Sequence, residues 1–217
     1  IRPMLGDAIP AALSTAMIED FTGRLLRENH LSPKTVRDIL TCLRSVIRYV
    51  TRQFPGLLPS VDIVYPRETP GEMRVLSTAE QKRLMKYLFD GMDSCKFGVL
   101  LALLTGMRIG EICALRWDDI NLKDKTIRVH ATMQRLKNID GTTEGKTKII
   151  IGSPKSDKSN RIIPMTGQTA LLCERMQTKS KADFVLTGTE QFMEPRTLQY
   201  RYRKLLERCG TRYRNFH

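Results

Sequence analysis

Between residues 55 and 71, four prolines (Pro55, Pro59, Pro66, Pro70) and two glycines (Gly56, Gly71) interrupt every periodic pattern. Proline withholds a backbone donor and restrains the residue before it, so no regular helix or central strand passes through this stretch. It reads as an extended linker, which makes the chain two separately folded parts. The first is expected over residues 1–67, the linker over 68–76 and the second part over 77–217. With 217 residues, 41% hydrophobic and 27% charged, the chain has enough apolar material for two cores, and wholesale disorder is excluded.

Upstream of the prolines the periodicity is helical. Leu13, Met17, Phe21, Leu25 and Leu26 form one apolar stripe between about Ala11 and Glu28. Ser32-Pro33 then reads as an N-cap with proline in the first turn. A second stripe follows at Val36, Ile39, Leu40, Leu43, Ile47 and Val50, with Lys34, Arg37, Arg44 and Arg48 on the remaining faces.

Downstream, Ser77-Thr-Ala-Glu80 has capping-box form and opens a helix to about Phe89. A largely apolar helix follows from about Ser94 to Leu104, and a short one from Arg108 to Leu115. Thr126–Ala131 alternates with period two and reads as a strand. Lys148–Ile151 and Arg161–Pro164 are two further strand candidates, joined by a turn around Lys155–Lys158. Helices are expected again at 166–178 and from Pro195 to the Cys209-Gly210 stop. The fold class is therefore mainly α with a small three-stranded antiparallel sheet, an α+β arrangement.

Thirty-six Lys and Arg against 23 Asp and Glu leave a net charge of +13, which favours a polyanionic partner such as nucleic acid. No apolar run approaches the ~20 residues that span a bilayer, so no membrane association is expected. The five cysteines are dispersed, without a CxxC pair, and the three histidines are far apart. Neither a metal site nor a disulfide framework is indicated, no cofactor is expected, and the compartment reads as reducing. Cys42 and Cys113 read as buried fillers.

The most informative segment is Leu103-Leu-Thr-Gly-Met-Arg-Ile-Gly-Glu-Ile-Cys-Ala-Leu-Arg-Trp-Asp-Asp-Ile120. It puts Arg108 just after a Thr-Gly break, at a helix N-terminus where a cation opposes the helix dipole. Glu111, three residues on, shares its face and can orient the guanidinium, although an isolated R-x-x-E is most often a plain intrahelical ion pair.

Thr-Gly-x-Arg-x-Gly-Glu followed by Leu-Arg-Trp-x-Asp-Ile strongly resembles the box that carries the first catalytic arginine of tyrosine recombinases, the phage integrase family. Ser153-Pro-Lys155-Ser-Asp-Lys-Ser-Asn-Arg161-Ile-Ile-Pro164 is similar to that family's β-hairpin, whose tip carries the catalytic lysine. The helices before the prolines are similar to its core-binding domain, and Arg212-Tyr-Arg-Asn-Phe-His217 to the stretch entering its His-x-x-Arg box. The type suggested is an integrase of bacterial phages or conjugative transposons.

The resemblance implies a helical core-binding domain followed by a catalytic domain of the DNA breaking-rejoining fold. It makes Arg108 a scissile-phosphate ligand, Glu111 its support and Lys155 the general acid for the departing 5′ oxygen, with Lys158 the competing candidate. His217 would act near the nucleophile and the phosphate. DNA contacts are expected from Lys34, Arg37, Arg44, Arg48, Arg161, Arg196 and Arg203. The implied reaction is site-specific recombination through a 3′-phosphotyrosyl intermediate, needing neither metal nor ATP, on double-stranded DNA and in a homotetramer.

None of the six tyrosines follows His217. The second arginine and the nucleophile are thus expected beyond it, and the chain by itself is expected to be a monomeric, DNA-binding, inactive fragment. Its expected location is the bacterial cytoplasm, on the nucleoid. The alternative from another class is a non-catalytic DNA-binding regulator derived from a recombinase. A type IB topoisomerase shares the arginine-lysine-histidine logic, but the Thr-Gly-x-Arg-x-Gly-Glu box argues against it.

Overall fold

The computed structural model describes residues 1–68, 75–138, 145–153, 159–178 and 180–211. Backbone contacts divide the chain into two compact units, Ile1–Met73 and Arg74–His217. Residues 69–74 of the expected linker lie outside the described residues.

In the first unit a short α1 (Arg2–Leu5) and a 3-10 turn (Pro10–Ala12) precede α2 (Thr15–Arg27) and α3 (Pro33–Gln53). Both longer helices start where their caps dictate. The Ser14 hydroxyl accepts from the Met17 N–H at 3.3 Å and that of Ser32 from Thr35 N–H at 3.2 Å, and Pro33 loses no bond at the first helical position. Ile18, Phe21 and Leu25 of α2 meet Val36, Leu40 and Leu43 of α3 in a small core. Each such side chain, fully buried, stabilises the unit by roughly 1.5–3 kcal/mol.

The proline-rich stretch is less of a spacer than its composition suggests. Leu58, Val61, Ile63 and Tyr65 pack back onto the α2–α3 core. The Asp62 N–H donates to the Thr15 hydroxyl at 3.0 Å. Arg37 lies over the Tyr65 ring, 5.3 Å from its centroid, and donates to the Pro66 carbonyl at 3.1 Å. Proline does stop helix and strand here, but the apolar residues between the prolines still gain from burial.

Cys42 is a correction: it is exposed, whereas Cys113 is buried as expected. The buried face of α3 is defined by Val36, Leu40 and Leu43, and Cys42 sits about 100° around the helix from Leu43. Burial raises the Cys95 thiol pKa to about 11 and those of Cys113 and Cys173 to about 12, so all three are protonated and inert at neutral pH.

The second unit begins with α4 (Thr78–Phe89), whose capping box is realised in full: Glu80 N–H to the Ser77 hydroxyl at 3.2 Å, and Ser77 N–H to the Glu80 carboxylate at 2.8 Å. α5 (Ser94–Thr105) is capped by Asp93 and buried along most of its length. α6 (Ile109–Ala114) and a 3-10 turn (Trp117–Asp119) follow, and α7 (Gly167–Met176) and α8 (Pro195–Arg208) close the unit. The core runs through Leu84, Leu88, Phe97, Leu100, Ile112, Trp117, Ile127, Phe184, Leu198 and Leu206. Trp117 stacks on Phe97 at 6.0 Å.

The fold is helical with antiparallel strands, as the pattern predicts, but the strands are distributed differently. β1 (Ile120–Asn121), β2 (Thr126–Val129) and β5 (Arg161–Pro164) form a three-stranded sheet in the order β1-β2-β5. β3 (Thr132–Lys137) and β4 (Thr147–Gly152) form a separate two-stranded one. The expected pairing of Lys148–Ile151 with Arg161–Pro164 is therefore corrected: β4 pairs with β3, and β5 with β2.

The registers explain why. Val129 lies opposite Arg161 and Thr132 opposite Gly152. β2 and β3 thus run on one side of a ribbon with only residues 130 and 131 between them, while residues 153–160 intervene on the returning side. β3 escapes a sequence reading because only Met133 of its six residues is buried, which leaves no alternation to detect.

Candidate functional site

The Thr105–Glu111 segment is shaped by two glycines with different tasks. α5 ends at Gly106, whose φ of +66° turns the chain through the left-handed region that side chains disfavour. Gly110 permits a close approach: a Cβ there would sit 2.7 Å from the Thr132 hydroxyl and 2.8 Å from the Met133 carbonyl oxygen. α6 therefore rests directly on the backbone of β3.

Between these glycines Arg108 occupies the N-cap position of α6 with extended backbone (φ −72°, ψ 153°). An arginine cannot accept the bonds that a capping hydroxyl would, so Glu111 supplies the cap. Its Oε2 accepts the Arg108 backbone N–H at 2.9 Å and its Oε1 accepts from Arg108 Nη1 at 3.0 Å. A second guanidinium reaches the same carboxylate: Arg161, the first residue of β5, donates Nη1 to Oε1 at 3.0 Å and Nη2 to Oε2 at 2.8 Å. Arg161 Nη1 also donates to the Ser159 carbonyl at 3.2 Å.

The Glu111 side chain is 2% exposed, that of Arg161 30% and that of Arg108 66%. A carboxylate has about four acceptor positions, and all four are used here. Among the described residues Glu111 is the sole partner of the Arg108 side chain, through one nitrogen. The rest of that guanidinium faces outward, able to present parallel donors to an oxyanion.

Burial pushes the Glu111 carboxyl up, but the Arg161 side-chain bonds, the Arg108 backbone N–H and the Arg108 side chain together hold it below the ordinary carboxylate value. A depressed folded-state pKa means the interaction contributes fully above the unfolded value and is lost as pH falls through the folded one. Glu111→Gln is accordingly expected to lower stability at neutral pH by about 3 kcal/mol, the low end for a broken buried pair because both guanidinium groups keep contact with water. Thermal melts carried from neutral into acid pH should converge for the two proteins; parallel curves would refute this account.

The Leu-Arg-Trp-x-Asp-Ile box serves packing. Leu115, Trp117 and Ile120 are buried. Asp119, with its side chain 5% exposed, accepts from the Arg116 N–H and from Arg128 Nη2, both at 3.2 Å, and its Oδ1 lies 2.8 Å from His130 Nε2. It ties the 3-10 turn to β2 and its end. Arg135 on β3 donates to both oxygens of Glu194, the residue just before α8, at 2.6 Å. Neither the Asp119–Arg128 nor the Arg135–Glu194 connection is visible in the sequence, because the partners are brought together only by strand pairing and helix packing.

Of the residues expected at a reaction centre, Arg108 and Glu111 are brought together, while Lys155, Lys158 and His217 lie outside the described residues. Of the expected DNA contacts, Lys34, Arg44, Arg48 and Arg196 are exposed. Arg37 is engaged by Tyr65, Pro66 and Glu68, and Arg203 by Glu207 at 3.2 Å. Arg161 joins the Arg108–Glu111 pair, a position its sequence separation of 50 residues could not disclose. No helix among the described residues is long and apolar enough to cross a membrane.

Comparison with known proteins bears on this arrangement. A tyrosine recombinase XerC-like protein of Caldanaerobacter subterraneus subsp. tengcongensis is 26% identical over 94% of this chain and 58% of its own length. The ICEBs1 integrase of Bacillus subtilis is 26% identical over 85% of this chain and 48% of its own. The chain thus spans about half the length of these curated relatives.

Among solved structures, the Tn1549 transposon integrase in complex with a circular intermediate DNA superposes with a TM-score of 0.71 at 18% identity, covering 93% of this chain and 66% of that one. A lambda integrase dimer bound to a core site superposes with a TM-score of 0.64 at 14% identity, covering 99% and 69%. At such identities these likenesses speak for the fold alone. The model of the phage integrase family matches residues 74–217, the whole second unit. With that match added to the arginine–glutamate geometry and the fold, the chain belongs to the phage integrase family of tyrosine recombinases.

Proposed function

We propose that this chain is the core-binding and catalytic part of a site-specific integrase that cleaves and rejoins double-stranded DNA to insert and excise a mobile element. The observation that carries the reading is Arg108: an exposed guanidinium anchored at one nitrogen by a buried carboxylate, inside a unit matched by the integrase family. Such a group offers fixed donors to the non-bridging oxygens of a scissile phosphate, and they need not reorganise as charge accumulates in the pentacoordinate transition state.

In this reading Glu111 holds Arg108, and Lys155, with Lys158 its competitor, protonates the departing 5′ oxygen. His217 handles a proton near the attacking group. The nucleophile is a tyrosine supplied by sequence outside these 217 residues. Its attack forms a 3′-phosphotyrosyl bond and releases a 5′ hydroxyl; the partner strand's hydroxyl then reverses the step, so the phosphodiester energy is retained.

Lys34, Arg44, Arg48 and Arg196 would neutralise phosphates along the duplex, making affinity fall steeply with salt. A homotetramer on DNA in the bacterial cytoplasm is the working assembly of this reading, and the 217 residues alone would bind DNA as a monomer without cutting it. The compared Tn1549 and lambda integrases, each in complex with DNA, support the DNA-binding part of this reading.

The test is a suicide-substrate assay on the whole gene product with nicked crossover-site DNA and denaturing electrophoresis. A covalent protein–DNA adduct is expected. Tight binding of a verified crossover site with no adduct would instead make the protein a DNA-binding regulator.

A further inference from the structure

We infer that Arg161 is a positioning residue for Arg108: by occupying half the acceptor capacity of Glu111, it limits Arg108 to one side-chain bond and keeps the guanidinium turned toward a phosphate. This rests on the reading of Arg108 as a phosphate ligand and extends it to a second arginine. A carboxylate facing a single guanidinium closes a two-bond fork with it, which consumes the donors that an incoming anion needs. Here that fork is made by Arg161, at 3.0 and 2.8 Å. Among the described residues Arg108 is left with one side-chain bond, at 3.0 Å, plus the backbone N–H bond that fixes the start of α6.

Charge arithmetic points the same way. Arg108 with Glu111 alone is a neutral pair, whereas both arginines with Glu111 carry a net +1. A phosphodiester approaching Arg108 would otherwise feel the buried carboxylate beside it; Arg161, whose own side chain is only 30% exposed, compensates that charge at the same two oxygens. Arg161 also anchors the start of β5 through the Ser159 carbonyl, so one side chain joins the end of the 153–160 connection to the Arg108 helix. Direct contact of Arg161 with DNA is the competing role, and the two make different predictions.

The variants are Arg161→Gln, which removes the charge, and Arg161→Lys, which keeps it without the fork. In the 217-residue chain the Glu111 carboxyl is titrated by carbon-detected NMR. Arg161→Gln should raise its pKa by about one to three units, the range for losing an adjacent opposite charge. Arg161→Lys should recover most of that shift, with melting curves confirming that both variants fold.

In the whole protein, Arg161→Gln should slow adduct formation at saturating DNA by about tenfold or more, as expected when a reacting group is displaced. DNA affinity should change by less than about threefold, since no phosphate contact is lost. Arg161→Lys should restore part of the rate. An unmoved Glu111 titration overturns the inference. So does a loss of affinity as large as the loss of rate, which would make Arg161 a DNA contact. Absence of any adduct from the wild-type protein overturns the integrase reading and with it the part Arg161 takes in the reaction. The Glu111 titration still decides separately whether Arg161 holds the carboxylate.

Discussion

Arg108→Ala is expected to reduce covalent adduct formation by the whole protein by about a hundredfold or more, while the variant still binds crossover DNA. Removing one preorganised donor to a developing oxyanion typically costs that much, and a guanidinium supplies several donors at once. Arg108→Lys should not restore the rate, because an ammonium is a point charge with no planar fork. Binding should weaken modestly, with the slope of affinity against salt reduced by about one phosphate contact. The fold should hardly notice: the side chain is 66% exposed, and the backbone N–H bond to Glu111 survives truncation. A variant that forms adduct at more than about a tenth of the wild-type rate would remove Arg108 from the phosphate site, given the size of such contributions.

Gly110→Ala should be strongly disruptive to the second unit. The added carbon would meet the Thr132 hydroxyl at 2.7 Å and the Met133 carbonyl at 2.8 Å, and a strand backbone cannot rotate away as a side chain can. α6 must lift from β3, at a cost of about 2–3 kcal/mol. The movement carries Arg108 and Glu111 away from Arg161 on β5, so adduct formation should fall beyond what the lost stability explains. Gly167→Ala is the control. Gly167 opens α7, has nothing within 4 Å of the added carbon, and should tolerate alanine or gain a few tenths of a kcal/mol. Equal melting temperatures for Gly110→Ala and wild type would mean that α6 does not rest on β3 as described.

The local features of this molecule are written in its sequence. Ser32 and Ser77 start helices where the sequence reading places them, because a cap needs only its own residue and the N–H groups two or three positions on, whereas α2, read from about Ala11, starts only after the Ser14 cap. Gly106 ends α5 for an equally local reason. Arg108 and Glu111 meet because one helical turn separates them, so half of the candidate site could be read from an R-x-x-E spacing.

What lay beyond reading depends on which distant segments pair. Period-two alternation tells which face of a strand is buried but not which strand lies beside it, so β4 and β5 looked like partners although each pairs with another strand. Composition marks residues 55–71 as a break, yet only tertiary packing decides that Leu58 to Tyr65 fold back onto the α2–α3 core and that Arg37 spends its guanidinium there. The same holds for the buried carboxylate. The sequence determines that Glu111 can serve Arg108. That Arg161, 50 residues away, arrives at the same two oxygens is decided by the register of β5 against β2 and the seating of α6 on β3, long-range contacts whose geometry no local pattern encodes.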